Sequence, residues 1–161
     1  MTKEELLNHL KEQNIWYELT KHKPAHTMED LLGEHLPYPT GCAKNIFVRD
    51  DKKKNYYLIT IKGNKKVNLK KFKEENNTRH LSFSSPQDLF TILKLHSGEV
   101  TPLGILNDKD KKVIFYLDND FKEEDIIGVH PFTNTETMWL KVKDLLTIIK
   151  THGNETNLTK I

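Results

Sequence analysis

Lys44 and Asn45 stand in Gly41-Cys42-Ala43-Lys44-Asn45-Ile46-Phe47-Val48, a run otherwise composed for burial. A charged and an amide side chain in such a strand cost desolvation unless something anionic or polar meets them. Two further segments carry residue types that packing alone would not select. Gly98-Glu99-Val100-Thr101-Pro102 is a Gly-to-Pro loop whose backbone N–H groups could point into a cavity, and His130-Pro131-Phe132-Thr133-Asn134-Thr135 closes a strand with a His and an Asn. Each has an ordinary alternative: Lys44 snorkelling from a sheet edge, Gly98 ending a helix, Asn134 forming a local Asx turn.

Other chemistries find less support. Cys42 lies two residues before Lys44, so in a strand both would share a face and the ammonium could lower the thiol pKa; a small buried cysteine is the competing reading. His22 and His26 could begin a metal site, but no third ligand accompanies them, and surface or core histidines explain them as simply. No metal and no cofactor are therefore expected. The Walker loop, the G-x-G-x-x-G turn and the G-x-S-x-G elbow are all missing, which removes nucleotide hydrolysis, a Rossmann cofactor and the usual serine-hydrolase route.

The elements that must position these residues follow from capping and periodicity. Thr2-Lys3-Glu4-Glu5 fits a capping box, with Leu6, Leu7 and Leu10 at helical spacing, so a helix to about Asn14 is expected. A short strand follows at 15–19. Thr27-Met28-Glu29-Asp30 caps a brief helix before a turn-rich stretch, 33–41, that contains Pro37 and Pro39. Residues 43–49 and 56–61 are β-rich runs around a polar hairpin turn, and 68–76 is helical. Ser85-Pro86 pairs a capping hydroxyl with Pro at the first helical position, after a strand at 80–84 and before a helix to about Leu95. Strands are expected at 103–106, 113–117 and 126–130, two of them forming a hairpin, then at 135–141, with a closing helix over 142–151 stopped by Gly153. The fold class is mixed α/β, a central mixed or mainly antiparallel sheet with flanking helices. We read one domain over 1–153 and a frayed polar tail over 154–161.

At 161 residues, 36% hydrophobic and 30% charged, the composition is that of an ordinary soluble globule. No apolar run approaches the roughly 18 residues a bilayer crossing needs, and the N-terminus opens with charge, so a cytoplasmic location without membrane attachment is expected. The single cysteine allows no internal disulfide and no Cys-rich zinc framework. Net charge is only +2, yet residues 44–73 hold ten Lys and Arg49 against Asp50 and Asp51. That segregation suits a polyanionic partner, since each phosphate neutralised releases counterions. Alternatively Lys52, Lys53, Lys54, Lys65 and Lys66 merely solvate turns and guard strand edges rather than touch phosphates.

Taken in order, Ala43-Lys44-Asn45, Leu81-Ser82-Phe83-Ser84-Ser85-Pro86, Gly98-Glu99-Val100-Thr101-Pro102-Leu103-Gly104 and His130-Pro131-Phe132-Thr133-Asn134-Thr135 resemble the ProX/YbaK family of aminoacyl-tRNA editing domains, over nearly the whole chain. The His-Pro-x-Thr-Asn-Thr element and the Lys-Asn pair look closer to the branch that clears alanyl-tRNA(Pro) than to the branch that clears cysteinyl-tRNA(Pro). The resemblance implies the editing fold, metal-free ester hydrolysis and a site in which Lys44 and Gly98 are catalytic. Asn45, Glu99, Val100, Thr101, Pro102, His130 and Asn134 would bind substrate. The implied partner is the acceptor end of mischarged tRNA(Pro), with a prolyl-tRNA synthetase or an elongation factor as further candidates. Two rival functions stay open: a non-catalytic tRNA-end or partner-binding module on the same fold, and an amidase or esterase using Cys42.

Overall fold

The computed structural model describes residues 1–25, 29–31, 34–63 and 65–161. Thr2 starts the first helix, α1 (Lys3–Glu12): its hydroxyl accepts the Glu5 N–H at 3.1 Å, and Leu6 and Leu10 on one face are fully buried. The first strand, β1 (Glu18–Lys21), begins three residues later than expected. Ile15 and Tyr17 leave the helix as a packed connection against the core instead. Thr27 and Met28, which were to cap a brief helix, lie outside the described residues, as does Gly33; Glu29–Leu31 form a 3-10 turn.

The anticipated hairpin is present as β2 (Ala43–Asp50) antiparallel to β3 (Tyr56–Lys62). Its turn is built on the Asp50 carboxylate, which accepts the N–H groups of Lys54 and Asn55 and the Asn55 side-chain amide. Asn68 caps α2 (Leu69–Asn76), and β4 (Leu81–Phe83) pairs with the other side of β2. Ser85 accepts the Asp88 N–H at 3.1 Å, and with Pro86 in the first turn it opens α3 (Pro86–Leu93).

Residues 103–106 are not a strand. They belong to a 3-10 helix, Pro102–Asn107, in which the Thr101 hydroxyl caps the Leu103 N–H. A short apolar run has no periodicity to separate strand from buried turn, and here tertiary packing decides. Gly104 is pressed so closely on Leu95 that a Cβ would lie 2.6 Å from its Cδ1. The remaining elements are β5 (Val113–Asp118), β6 (Ile126–Val129), β7 (Glu136–Lys141), α4 (Val142–His152) and β8 (Thr156–Thr159). None of the three strands read at 103–130 forms a hairpin with another. β5 runs parallel to β3, and β6 finds its antiparallel partner in β7.

The strands form two sheets. One is antiparallel, in the order β1-β7-β6; the other is mixed, in the order β4-β2-β3-β5-β8. The polar C-terminal segment is not frayed: β8 lies parallel to β5, and Asn154, buried at 4% exposure, donates to the Asp108 carboxylate and to the Val113 carbonyl, each at 2.8 Å. Buried backbone and carboxylate acceptors demand such partners, a need that tail composition does not reveal. The larger core lies on the face of the mixed sheet covered by α1, α3 and α4, and a smaller one, around Phe72 and Tyr116, lies on the opposite face under α2. Where the sheets meet, Cys42 forms a parallel bridge with Gly128. Both glycines of this seam are sterically required: a Cβ on Gly41 would lie 2.3 Å from the Ile126 carbonyl oxygen, and one on Gly128 would lie 2.5 Å from the Trp139 ring.

Candidate active site

The seam between the sheets opens into a cleft of about 630 Å³, within the range usual for small-molecule sites. The start of β2 contributes Cys42, Ala43, Lys44 and Asn45 to it. Gly98 and Val100 enter from the loop after α3; Gly128, Val129 and His130 come from the end of β6, and Thr137 from β7. Ala25, Glu29, Leu31 and Lys66 complete the described lining. Five of the residues expected from sequence, Lys44, Asn45, Gly98, Val100 and His130, therefore meet in one cavity although they belong to three separate segments.

Lys44 is exposed, and Asn45 is half-buried with its Oδ1 accepting the Thr60 hydroxyl at 2.6 Å. Neither bears the desolvation cost that the surrounding apolar run suggested: one reaches solvent at the cleft and the other has a partner. Gly98 has φ +87°, a left-handed conformation that other residues adopt only with strain. Of the loop amides, that of Glu99 donates to the His96 carbonyl and Pro102 has none; among the loop residues that line the cleft, the amides left for a ligand are those of Gly98 and Val100. Thr101 is fully buried as the cap of the 3-10 helix, and Pro102 is buried inside it. Glu99, Thr101, Pro102 and Asn134 are absent from the described lining; the Asn134 carbonyl accepts the Ala25 N–H and so anchors a wall segment. His130 approaches the Glu136 carbonyl through Nδ1 at 3.4 Å.

Two other sequence readings change. The Cys42 thiol is buried, and burial pushes its pKa up rather than Lys44 drawing it down, so it is not an activated nucleophile. Lys65 is not a loose phosphate contact: it is paired with the buried Asp118 carboxylate at 2.9 Å and with Asp120. Burial alone would lower its pKa, but these carboxylates hold the ammonium above its ordinary value. His22 places Nδ1 at the Lys23 carbonyl and Nε2 at the Thr137 hydroxyl; His26 lies outside the described residues. Sequence reasoning missed Gly128, Thr137 and Lys66. Gly128 had a usable signal, since a glycine inside a strand marks a close approach; Lys66 was visible only as part of the lysine-rich stretch 44–73, and Thr137 had none.

The chain matches the family described as aminoacyl-tRNA editing domain over residues 22–148, a span that includes every described element from β2 to β7. It belongs to that family. It is 33% identical over 152 residues to the prolyl-tRNA editing protein ProX of Acetoanaerobium sticklandii, covering 94% of this chain and 93% of that protein. It is also 32% identical to the prolyl-tRNA synthetase associated domain-containing protein 1 of Bos taurus, covering 86% and 82%. Among solved structures, one of a candidate trans-editing enzyme for prolyl tRNA synthetase superposes with a TM-score of 0.70 at 16% identity, covering 99% of this chain and 96% of that one, which establishes the editing-domain fold. Among the described residues, no helix is long and apolar enough to cross a membrane.

Proposed function

We propose that this editing domain acts as a trans-editing deacylase on mischarged tRNA(Pro), and that its preferred substrate is the alanyl ester. The observation that carries the reading is the convergence of Lys44, the Gly98–Val100 backbone and His130 on one cleft at the seam of the two sheets. The reading is supported by the prolyl-tRNA editing name of the A. sticklandii relative. A synthetase pocket built for proline rejects a smaller side chain weakly, because the lost apolar contact is worth only about 1–3 kcal/mol, and a second, hydrolytic sieve makes up the difference.

The ester is already reactive, so no covalent intermediate is needed. Accelerating its hydrolysis about 10⁴-fold requires lowering the barrier by roughly 5.5 kcal/mol. One or two oxyanion donors supply about that, at roughly 2.7–4 kcal/mol each. The amides of Gly98 and Val100 take this role, polarising the carbonyl as water adds to it. Lys44, exposed at the cleft, holds the phosphate of the terminal adenosine and does not act as the base. His130 and Asn45 flank the ester, and the substrate's own ribose hydroxyl assists the attacking water. The protein works where its substrate is made, in the cytoplasm, alongside a prolyl-tRNA synthetase or an elongation factor that handles the same acceptor end.

A deacylation panel with alanyl, cysteinyl, seryl and prolyl esters on one proline tRNA tests the reading. Alanyl should be cleaved fastest, seryl weakly and prolyl hardly at all, because overfilling a close-packed pocket costs about 1–3 kcal/mol and small displacements from attack geometry lower the rate further. Preferred cysteinyl cleavage would change the amino acid but keep the activity. Rapid prolyl cleavage would defeat the fidelity role, and no release above the buffer rate from any ester would leave a binding module.

A further inference from the structure

We infer that Thr137 is a specificity residue whose hydroxyl oxygen accepts a hydrogen bond from the α-ammonium of the bound aminoacyl ester, fixed in that polarity by His22. The inference rests on the deacylase reading above. Thr137 lines the cleft and is only 5% exposed. Its methyl group lies against Gly128, where an added Cβ would come within 2.9 Å of Cγ2, while its hydroxyl is 2.8 Å from His22 Nε2. The proton positions follow from the partners. His22 Nδ1 is 2.7 Å from the Lys23 carbonyl oxygen, and a carbonyl only accepts, so Nδ1 carries the ring's hydrogen. A neutral imidazole has one N–H, which makes Nε2 an acceptor and obliges the Thr137 hydroxyl to donate to it. With its single proton committed to His22, Oγ1 keeps only lone pairs for any further partner that reaches it from the cleft. The ligand group that meets them must be a donor, and an aminoacyl ester carries one beside its carbonyl, the α-ammonium. The bond is charge-assisted, so it also separates a charged donor from a neutral one.

The test compares alanyl-tRNA(Pro) with propionyl-tRNA(Pro), the same ester with hydrogen in place of the ammonium, each rate divided by its own buffer hydrolysis. The native protein should favour alanyl by about tenfold or more, the effect of one hydrogen bond to a charged group. Thr137→Val, which keeps the shape and removes the oxygen, should bring that ratio close to one, and Thr137→Ser should restore it. A Thr137→Val protein that melts like the native one and keeps the full alanyl preference overturns the inference. Nitrogen-resolved imidazole spectra of the native protein at pH 8 give an independent measure, with His22 expected to be protonated on Nδ1 and bare on Nε2. The opposite tautomer overturns the assignment even if no ester is cleaved, whereas failure to cleave either ester in the panel above counts against the deacylase reading itself.

Discussion

Lys44 and Cys42 stand two residues apart where β2 enters the cleft, and their environments give them opposite expectations. The Lys44 ammonium is exposed and available to an anion, so Lys44→Ala should lower kcat/KM on alanyl-tRNA(Pro) about tenfold to a hundredfold, the range for losing a hydrogen bond to a charged partner. Lys70→Ala, which removes an exposed lysine of α2 outside the described lining, should stay within about twofold; equal losses would show that Lys44 acts only through general charge. The Cys42 thiol is buried and held protonated, so Cys42→Ala should keep its deacylase rate, and abolished turnover with an unchanged melting curve would revive the thiol-based reading. Lys44 was informative in the sequence because it disagreed with its apolar neighbours, whereas Cys42 fitted them and raised only a question of reactivity. Thr137 gave no signal, since a threonine in a strand fits there without explanation.

At the scale of elements, the parts that were legible are those fixed by local chemistry. The caps at Thr2 and Ser85 and the left-handed Gly153 after α4 each bond within a few residues, so the sequence alone specifies them, whereas Asn68 was read inside the helix it caps. What was not legible depends on distant partners. The 3-10 helix at Pro102–Asn107 takes its form from Leu95 packing on Gly104, and β8 carries only Leu158 as an apolar residue yet completes the mixed sheet beside β5. The same segment yields a stability prediction. Asn154→Ala strands the Val113 carbonyl and takes one donor from the buried Asp108, at a cost of about 2 kcal/mol, so Tm should fall by roughly 4–8 °C in a thermal melt. A change below 1 °C would mean that water replaces the amide. The site shows a similar division: its three main segments were visible as motifs, whereas their meeting at the Cys42–Gly128 seam is a property of sheet topology.

For the whole molecule, the excess of lysines in residues 44–73 overstates the charge available to a nucleic acid. Lys62 lies 3.9 Å from Asp125, Lys65 is held by two aspartates, and Lys71 faces Glu75. If three or four phosphates are engaged by the remainder, log affinity for a proline tRNA should fall with log salt at a slope of about −3, measured by filter binding or anisotropy. A slope near zero would remove tRNA as the partner. The seam also sets when the protein comes into being. β1 pairs with β7, and Cys42 bridges to Gly128, so a cleft assembled from residues near 45, 98 and 130 does not exist while the chain is shorter than about β7. At roughly 5–20 residues per second, a ribosome that has just finished β3 needs about 4–16 s more to supply the other walls. Throughout that interval the β2–β3 hairpin, with Leu58, Ile59 and Ile61 destined for full burial, waits without its cover. An enzyme that guards the accuracy of translation is thus itself exposed, during its own synthesis, to the misfolding of an unfinished sheet, and each copy becomes competent only late in its own elongation.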